Sequence, residues 1–133
     1  MKNIYTWAAH PATRNLTVAD MQAQKGGKQW VEVTANTEDE AAAAEAAGVD
    51  LIICHAASVE EVRAGSKNLF LTASLVLQAF VTEEDILRGA FEALTKGADA
   101  VMTPRSMKVV KMLASEDVPV RGHLGLVPRK STW

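Results

Sequence analysis

The sequence predicts an α/β protein with a parallel sheet, in which short strands alternate with helices along the chain. Five apolar runs have the length of strands and are separated by segments with helix signals; they are Trp30–Ala35, Leu51–Cys54, Leu69–Ala73, Ala100–Thr103 and Val118–Leu124. Several runs are apolar at consecutive positions, as expected for strands that are covered on both faces. A regular order of strand and helix indicates right-handed crossovers between parallel strands.

The segments between the runs carry the signals of helix ends. Thr37 and Glu40 have the spacing of a capping box before an alanine-rich stretch. The same spacing recurs at Ser58 and Glu61, and we expect the short helix that follows to end at Gly65.

Three further helices are expected. Thr82 precedes three acidic residues, which suit the positive end of a helix dipole, and this helix should run to Gly97. Residues 106–115 carry apolar side chains at helical spacing. An earlier helix is expected from Thr17 to Lys25, before a pair of glycines.

A short repeat follows two of the predicted helices. Residues Ala47–Ile52 resemble Lys96–Val101, since in both a helix ends on Gly, an Asp follows two residues later and a strand begins. Such regularity favours a partial (β/α)8 barrel of the TIM type with about five strands, whose full form needs ~250 residues. An open, doubly wound, flavodoxin-like sheet is the alternative, because that fold is complete at roughly this size.

Length and composition restrict the class of protein. At 133 residues, 48% of them apolar, the chain is expected to form one domain that covers residues 1–133. The formal net charge of −2, without a basic block, argues against nucleic-acid binding. The lone Cys54 suits a reducing compartment. Because we find neither a signal peptide nor an apolar run of the ~20 residues that a membrane span needs, we expect a cytoplasmic protein without a membrane partner.

The most specific motif is Val-Pro-Val-Arg-Gly-His-Leu-Gly-Leu-Val-Pro at residues 118–128. It closely resembles the (I/V)-P-V-x-G-H-(L/I)-G-L-T-P strand of ketopantoate hydroxymethyltransferase, also named 3-methyl-2-oxobutanoate hydroxymethyltransferase. Weaker matches fall in the family's order at residues 17–25, 31–35, 47–54 and 96–101. The resemblance covers roughly residues 16 to 130 and corresponds to the N-terminal half of the family's barrel.

The resemblance implies a transferase of the phosphoenolpyruvate/pyruvate barrel superfamily. Members of the family transfer a hydroxymethyl group from a methylene-folate donor to a branched 2-oxoacid. A divalent metal, Mg²⁺, holds the oxoacid and makes its C3 proton removable. This Lewis-acid chemistry needs hard oxygen ligands at the ends of the strands.

The resemblance also implies that the family's metal ligands are replaced here. After its first four strands the family has, in order, Tyr-Asp, Gly-Asp-Ser, Asp-Leu-Pro and Lys-x-Glu. At the corresponding positions this chain has Asn36-Thr37, His55-Ala56-Ala57, Ser74-Leu75-Val76 and Met102-Thr103-Pro104. Only the fifth-strand histidine, His123, remains. We therefore predict no bound metal and no cofactor, neither the magnesium nor the methylene-folate donor of the family.

The carboxyl ends of the strands are the expected position of a site, because in a βα array these ends converge on one face. Six polar residues are expected there: Asn36, His55, Ser74, Thr103, Arg105 and His123. As a pocket, this set suits a small 2-oxoacid or another carboxylate, with Arg105 as a fork for the carboxylate. The alternative is a set of solvated or mutually hydrogen-bonded loop residues.

A cysteine–histidine nucleophile is not expected at Cys54 and His55. Neighbouring residues of a strand point to opposite faces, so these two side chains cannot readily meet.

Two functional hypotheses remain. The first is a diverged relative of the family that binds a small 2-oxoacid through His123, Arg105, Ser74, His55 and Asn36, and that would transfer a one-carbon unit if it is catalytic. The second is a non-catalytic binding or assembly protein, or a truncated fragment of a transferase. Half a barrel has two open edges and an apolar inner face, so we expect a homo-oligomer or a partner chain that supplies the missing half.

Overall fold

The protein is an α/β structure with one five-stranded parallel sheet and a separate N-terminal hairpin. A computed structural model describes residues 1–133. The elements in chain order are β1 (Lys2–Tyr5), β2 (Pro11–Arg14), α1 (Val18–Ala23), β3 (Glu32–Thr34), α2 (Glu38–Ala46), β4 (Leu51–His55), α3 (Val59–Gly65), β5 (Phe70–Ser74), α4 (Glu83–Thr95), β6 (Ala100–Thr103), α5 (Met107–Ser115) and β7 (Val120–Gly122). None of the helices has both the length and the apolar character that crossing a membrane requires.

The strands of the large sheet lie in the order β3-β4-β5-β6-β7, and every neighbouring pair is parallel. The prediction of an α/β fold with parallel βα repeats is therefore confirmed. A doubly wound sheet reverses its strand order at a switch point. This sheet has no such reversal, and its sequential order is the one that a (β/α) barrel produces.

An ion pair joins the two edge strands across the inner side of the sheet. Arg121 of β7 donates from Nη1 to Glu32 Oε1 of β3 at 2.5 Å and from Nη2 to Oε2 at 3.1 Å. Arg121 Nη1 also donates to Thr72 Oγ1 of the central strand β5 at 3.2 Å. In a flat sheet the two edge strands would lie about 19 Å apart, four times the strand spacing, which is too far for two side chains to bridge. The sheet is therefore strongly curled.

The same three residues correspond to one layer of a barrel interior. In a (β/α)8 barrel each interior layer is formed by side chains from alternate strands. Glu32, Thr72 and Arg121 come from the first, third and fifth strands of this sheet. The curl and the layering together favour the partial barrel over the doubly wound alternative.

The apolar residues form two clusters, one on each side of the sheet. The outer cluster has 20 buried residues and fills the space between the sheet and helices α2 to α5. The inner cluster has four buried residues, Leu16, Leu51, Phe70 and Ala100, and Met21 of α1 packs against it together with Trp30. Helix α1 thus covers part of the inner face.

The repeat seen in the sequence has a structural explanation. Asp50 accepts a hydrogen bond from the backbone N–H of Val31 at 2.9 Å, just before β3. Asp99 accepts one from the N–H of Leu71 at 2.9 Å, in β5. In both copies the aspartate directly precedes one strand and is hydrogen-bonded to the backbone at the amino end of the neighbouring strand.

Of the two predicted capping boxes, one is confirmed, that of Thr37 with Glu40. The helix expected after Thr82 is also confirmed, and Thr82 forms with Asp85 a complete capping box that was not predicted. The prediction for Ser58 is wrong, because residues 56–58 form a 3-10 turn that leads directly into α3 and the Ser58 side chain makes no cap hydrogen bond.

The N-terminal hairpin and the limits of two strands differ from the sequence prediction. The β1–β2 hairpin, in which the two strands are antiparallel, was not predicted from the sequence. The first and last strands of the sheet are shorter than the apolar runs, at Glu32–Thr34 and Val120–Gly122. His123 consequently lies beyond its strand.

Candidate functional site

Three of the predicted site residues come together at the carboxyl ends of β3, β4 and β5. His55 is the register partner of Ser74 on the neighbouring strand. The Asn36 side chain, directly after β3, accepts a hydrogen bond from the His55 backbone N–H at 2.8 Å. Alternation along the strands places His55 and Ser74 on the same side as Leu51 and Phe70, which is the inner side of the sheet.

Cys54 lies on the opposite side of β4 from His55, as expected from strand alternation. Its side chain belongs to the outer cluster and is buried. Burial raises the pKa of the Cys54 thiol to about 11, and the nearby Arg63 only partly opposes this. The thiol is therefore protonated at neutral pH and is not an available nucleophile.

Two more of the predicted residues, Arg105 and His123, line a separate cavity of about 200 Å³. This cavity lies at the carboxyl ends of β6 and β7, and its remaining lining includes Ser106, Leu124, Val127, Arg129 and Lys130. His123 is exposed. The lining carries three side chains with a permanent positive charge and no carboxylate, which favours an anion over a cation.

The guanidinium of Arg105 is held in place by one of its nitrogens. Nη1 donates to the carbonyl oxygens of Phe80 and Val81 at 3.2 and 2.9 Å, in the loop before α4. The backbone N–H of Arg105 donates to Thr103 Oγ1 at 3.2 Å. Nε and Nη2 make no hydrogen bond within the protein, so the edge that they form is free for a carboxylate.

Thr103 does not belong to the open face on which we expected it. The residue is fully buried, and it shares the outer side of β6 with Val101. Its hydroxyl positions the Arg105 backbone instead of meeting a ligand. The error arose because Thr103 is polar and stands at a strand end, while its position in the strand directs it toward the helices.

The residues at the strand ends do not resemble a site for a hard divalent cation. The structure contains no group of three or more His, Cys, Asp or Glu side chains that could hold a metal ion. Asn36, Ser74 and the two histidines provide amide, hydroxyl and imidazole groups, whereas Mg²⁺ prefers carboxylate oxygens.

The structure divides the predicted site into two groups. Neither His55 nor Ser74 lines the cavity that contains Arg105 and His123. Sequence reasoning also missed Arg129 and Lys130, which follow the recognised motif and add positive charge to this cavity. Their closeness to His123 in the chain was the available signal.

Comparison with known proteins adds a relationship to these observations. The chain matches no protein-family profile. It is 38% identical over 81 residues to a 3-methyl-2-oxobutanoate hydroxymethyltransferase of Shigella boydii serotype 18, covering 59% of this chain and 30% of that enzyme. It is 37% identical over 84 residues to the enzyme of the same name from Escherichia coli O139:H28, covering 61% and 31% of the two proteins.

These similarities support a distant relationship. The chain spans about 30% of the length of the curated relatives that it matches. The relatives carry the name of the family that the motif at residues 118–128 resembles. The sequence similarity therefore supports a distant relationship to this transferase family.

Proposed function

We propose that this chain is a diverged relative of ketopantoate hydroxymethyltransferase, within the phosphoenolpyruvate/pyruvate barrel superfamily, that binds a small 2-oxoacid or a related carboxylate without magnesium. The observation that carries the proposal is the cavity lined by Arg105 and His123. Arg105 is anchored through Nη1 and keeps its other nitrogens free. A planar guanidinium presented in this way matches the geometry of a carboxylate.

The remaining lining suits the rest of such a ligand. In this proposal, His123 donates a hydrogen bond to the 2-oxo oxygen while Arg105 pairs with the carboxylate. Leu124 and Val127 provide apolar contact for a branched or methyl substituent. Arg129 and Lys130 add positive charge that attracts the anion from solution.

The group at the ends of β3 to β5 has a secondary role in this proposal. Ser74, His55 and Asn36 supply hydroxyl, imidazole and amide groups that bind the distal part of a longer acid. No carboxylate stands among them to hold Mg²⁺. Enolisation at C3 would then lack its Lewis acid, so binding, and not hydroxymethyl transfer from a folate donor, is the activity that we propose.

Calorimetric titration with 3-methyl-2-oxobutanoate and with pyruvate tests this proposal. We expect binding of equal strength in Mg²⁺ and in EDTA. Arg105→Gln should weaken it about tenfold, the ratio that corresponds to one charged hydrogen-bonding partner. Arg88→Gln is the matched control, because Arg88 is an exposed arginine of α4 that pairs only with Glu84.

The outcomes are distinct. Absence of heat with either acid would contradict the proposal, as would binding that requires Mg²⁺. Equal affinities for the parent chain and Arg105→Gln would exclude Arg105 from the site. A His123→Ala variant with unchanged affinity would exclude His123.

A second candidate function, assembly without catalysis, is favoured by the edges of the sheet. β3 and β7 each pair on one side only, and Val31, Leu124 and Leu126 expose apolar surface close to these edges. Open edges and apolar surface favour association. We propose that the chain forms a homo-oligomer or pairs with a chain that supplies the missing part of a barrel.

Sedimentation velocity tests the assembly proposal. We expect a dimer or larger species at micromolar concentration. A Val31→Lys variant should shift the equilibrium toward monomer, because a charged side chain next to an edge strand opposes pairing. A parent chain that sediments as a stable monomer would contradict self-association.

A further inference from the structure

At the amino ends of the strands, opposite the cavity of Arg105, two arginines share one carboxylate. Arg14 of β2 donates from Nε to both oxygens of Asp99 at 2.7 and 2.9 Å. Arg63 of α3 donates from Nη2 to Asp99 Oδ2 at 2.9 Å. The side chains are largely buried, with 4% exposure for Arg14 and 13% for Arg63. Two positive charges thus face one negative charge among poorly solvated side chains. One positive charge is therefore left without a negative partner.

Both guanidiniums are fixed by backbone carbonyl groups. Arg14 Nη1 donates to the carbonyl oxygens of Thr13 and Lys67 at 2.8 and 3.0 Å. Arg63 donates from Nε to Gly97 and from Nη1 to two further carbonyl groups. Arg14 Nη2, in contrast, makes no hydrogen bond within the protein, and it is not among the buried polar atoms that lack a partner, so it remains accessible to a ligand.

A cavity of about 330 Å³ adjoins this cluster. Its lining consists of Thr6, Ala12, Thr13, Arg14, Arg63, Lys67 and Gly97. Three of these side chains are cationic, and none is a carboxylate. Lys67 is exposed at the rim and forms no ion pair.

The electrostatics of Arg63 agree with a site that lacks negative charge. Burial lowers the pKa of Arg63, Asp99 raises it, and the charge of Arg14 lowers it further. The net direction is downward, so the single carboxylate does not fully offset burial and the second arginine. An anion in the adjoining cavity would offset them.

We propose that the cavity over Arg14, Arg63 and Lys67 binds an oxyanion of the phosphate class. Guanidinium groups bind phosphate oxygens through paired hydrogen bonds, and an ammonium group at the rim adds a point charge. The anion is either free inorganic phosphate or the terminal phosphate of a small metabolite, since both present the same oxygens. Because Arg14 lies on the hairpin and Arg63 on α3, the bound anion ties the hairpin to the sheet. This site is independent of the proposed 2-oxoacid cavity.

The test measures phosphate binding by calorimetry and thermal unfolding at matched ionic strength, with sodium chloride as the reference salt. We expect inorganic phosphate to raise the Tm of the parent chain above its value in chloride, because a ligand that binds only the folded state stabilises it. Glycerol phosphate serves as the second probe. Tighter binding of glycerol phosphate than of inorganic phosphate identifies a metabolite as the ligand, and the reverse identifies the free ion.

Lys67→Gln is the decisive variant, because the exposed Lys67 side chain makes no hydrogen bond or ion pair within the protein and its replacement should leave the fold intact. It should weaken phosphate binding about tenfold, as expected on loss of one charged partner. Lys111→Gln removes the same charge from the exposed face of α5 and should leave the affinity unchanged. Lys130→Gln, in the cavity of Arg105, should also leave it unchanged.

Three results would overturn the proposal. They are equal stabilisation by phosphate and chloride, equal phosphate affinity for the parent and Lys67→Gln, and loss of phosphate binding in Lys130→Gln but not in Lys67→Gln. The last result would move phosphate binding to the carboxyl ends of the strands.

Discussion

The amino and carboxyl ends of the parallel strands differ in how their polar side chains are used. At the amino ends, Asp99 accepts hydrogen bonds from Arg14, Arg63 and the backbone of β5, and all of these groups are largely buried. At the carboxyl ends, His55 and His123 are exposed, and their side chains make no hydrogen bond within the protein. In barrels, residues at the amino ends of the strands serve stability and those at the carboxyl ends serve function. The buried ion pairs at the amino ends of this chain agree with the first half of this rule, and the proposed 2-oxoacid cavity would agree with the second.

The aspartates of the sequence repeat carry the structural role at the amino ends to different degrees. Asp99 meets two largely buried guanidiniums, whereas the partner of Asp50 is Lys28, whose side chain is 52% exposed. Both aspartates also accept a backbone N–H at the start of a strand. The repeated aspartate thus accepts a strand N–H in both copies, with largely buried ionic partners at Asp99 and an exposed one at Asp50.

Replacement of Asp99 by Ala should have the largest effect on stability. It leaves two buried guanidiniums without their carboxylate and one strand N–H without its acceptor. Removal of one partner from a buried ion pair costs about 3–5 kcal/mol. Urea denaturation measures the change, with Asp50→Ala as the matched control of smaller effect. Equal losses in the two variants would contradict the contrast between them.

The Glu32–Arg121 pair should contribute less, because Arg121 is 41% exposed and solvent screens the charges. A double-mutant cycle of Glu32→Gln and Arg121→Met should give a coupling energy of about 1 kcal/mol. The exposed pair of Glu84 and Arg88 provides the reference, with an expected coupling of about 0.3 kcal/mol for neighbours on one helix turn. A coupling of zero between Glu32 and Arg121 would show that the sheet edges do not meet across the inner face.

Acid should weaken the attachment of the hairpin to α1. Hydrogen bonds from Lys2 and Thr17 lower the pKa of Asp20 from 3.8 to about 2. A carboxylate with a lowered pKa stabilises the folded state above its unfolded pKa, and this contribution is lost as the pH falls from about 4 toward 2. Unfolding midpoints of the parent chain should fall more steeply over this range than those of Asp20→Asn. Parallel pH profiles would contradict the assignment.

Replacement of His55 by Ala should have the smallest effect. The imidazole is exposed and makes no hydrogen bond within the protein, so we expect a stability change within about 0.5 kcal/mol. Urea denaturation is again the measurement. A loss as large as that of Asp99→Ala would abolish the proposed division between the two ends of the sheet.

The sequence was sufficient for the fold class because the strands and caps are local features. The apolar runs at Leu51–Cys54 and Ala100–Thr103 predicted β4 and β6 almost to the residue. The capping box at Thr37 depends only on residues three positions apart, and the acidic residues after Thr82 mark the start of α4. The β1–β2 hairpin escaped prediction because its short strands show little apolar alternation, and the residues that attach it to the sheet, Asn68 and Asp99, lie far along the chain.

The candidate site was only partly predictable, for a related reason. The motif around His123 and the polar residues at strand ends indicated the carboxyl ends of the strands, where the structure places Asn36, His55, Ser74, Arg105 and His123. Their division into two groups depends on the hydrogen bonds that hold Arg105 against the loop before α4, which no local pattern encodes. The cluster of Arg14, Arg63 and Asp99 joins residues up to 85 positions apart and has no signature in the sequence except the repeated aspartate.

The most direct test of whether the carboxyl ends of the strands form the binding face is a titration of the labelled protein with 3-methyl-2-oxobutanoate in EDTA. The measured quantity is the chemical shift of each backbone amide. We predict saturable changes at Arg105, His123 and their neighbours, with none at Arg14 or Arg63 and no dependence on added Mg²⁺. Changes confined to the amino ends, or changes that appear only when Mg²⁺ is present, would contradict the account.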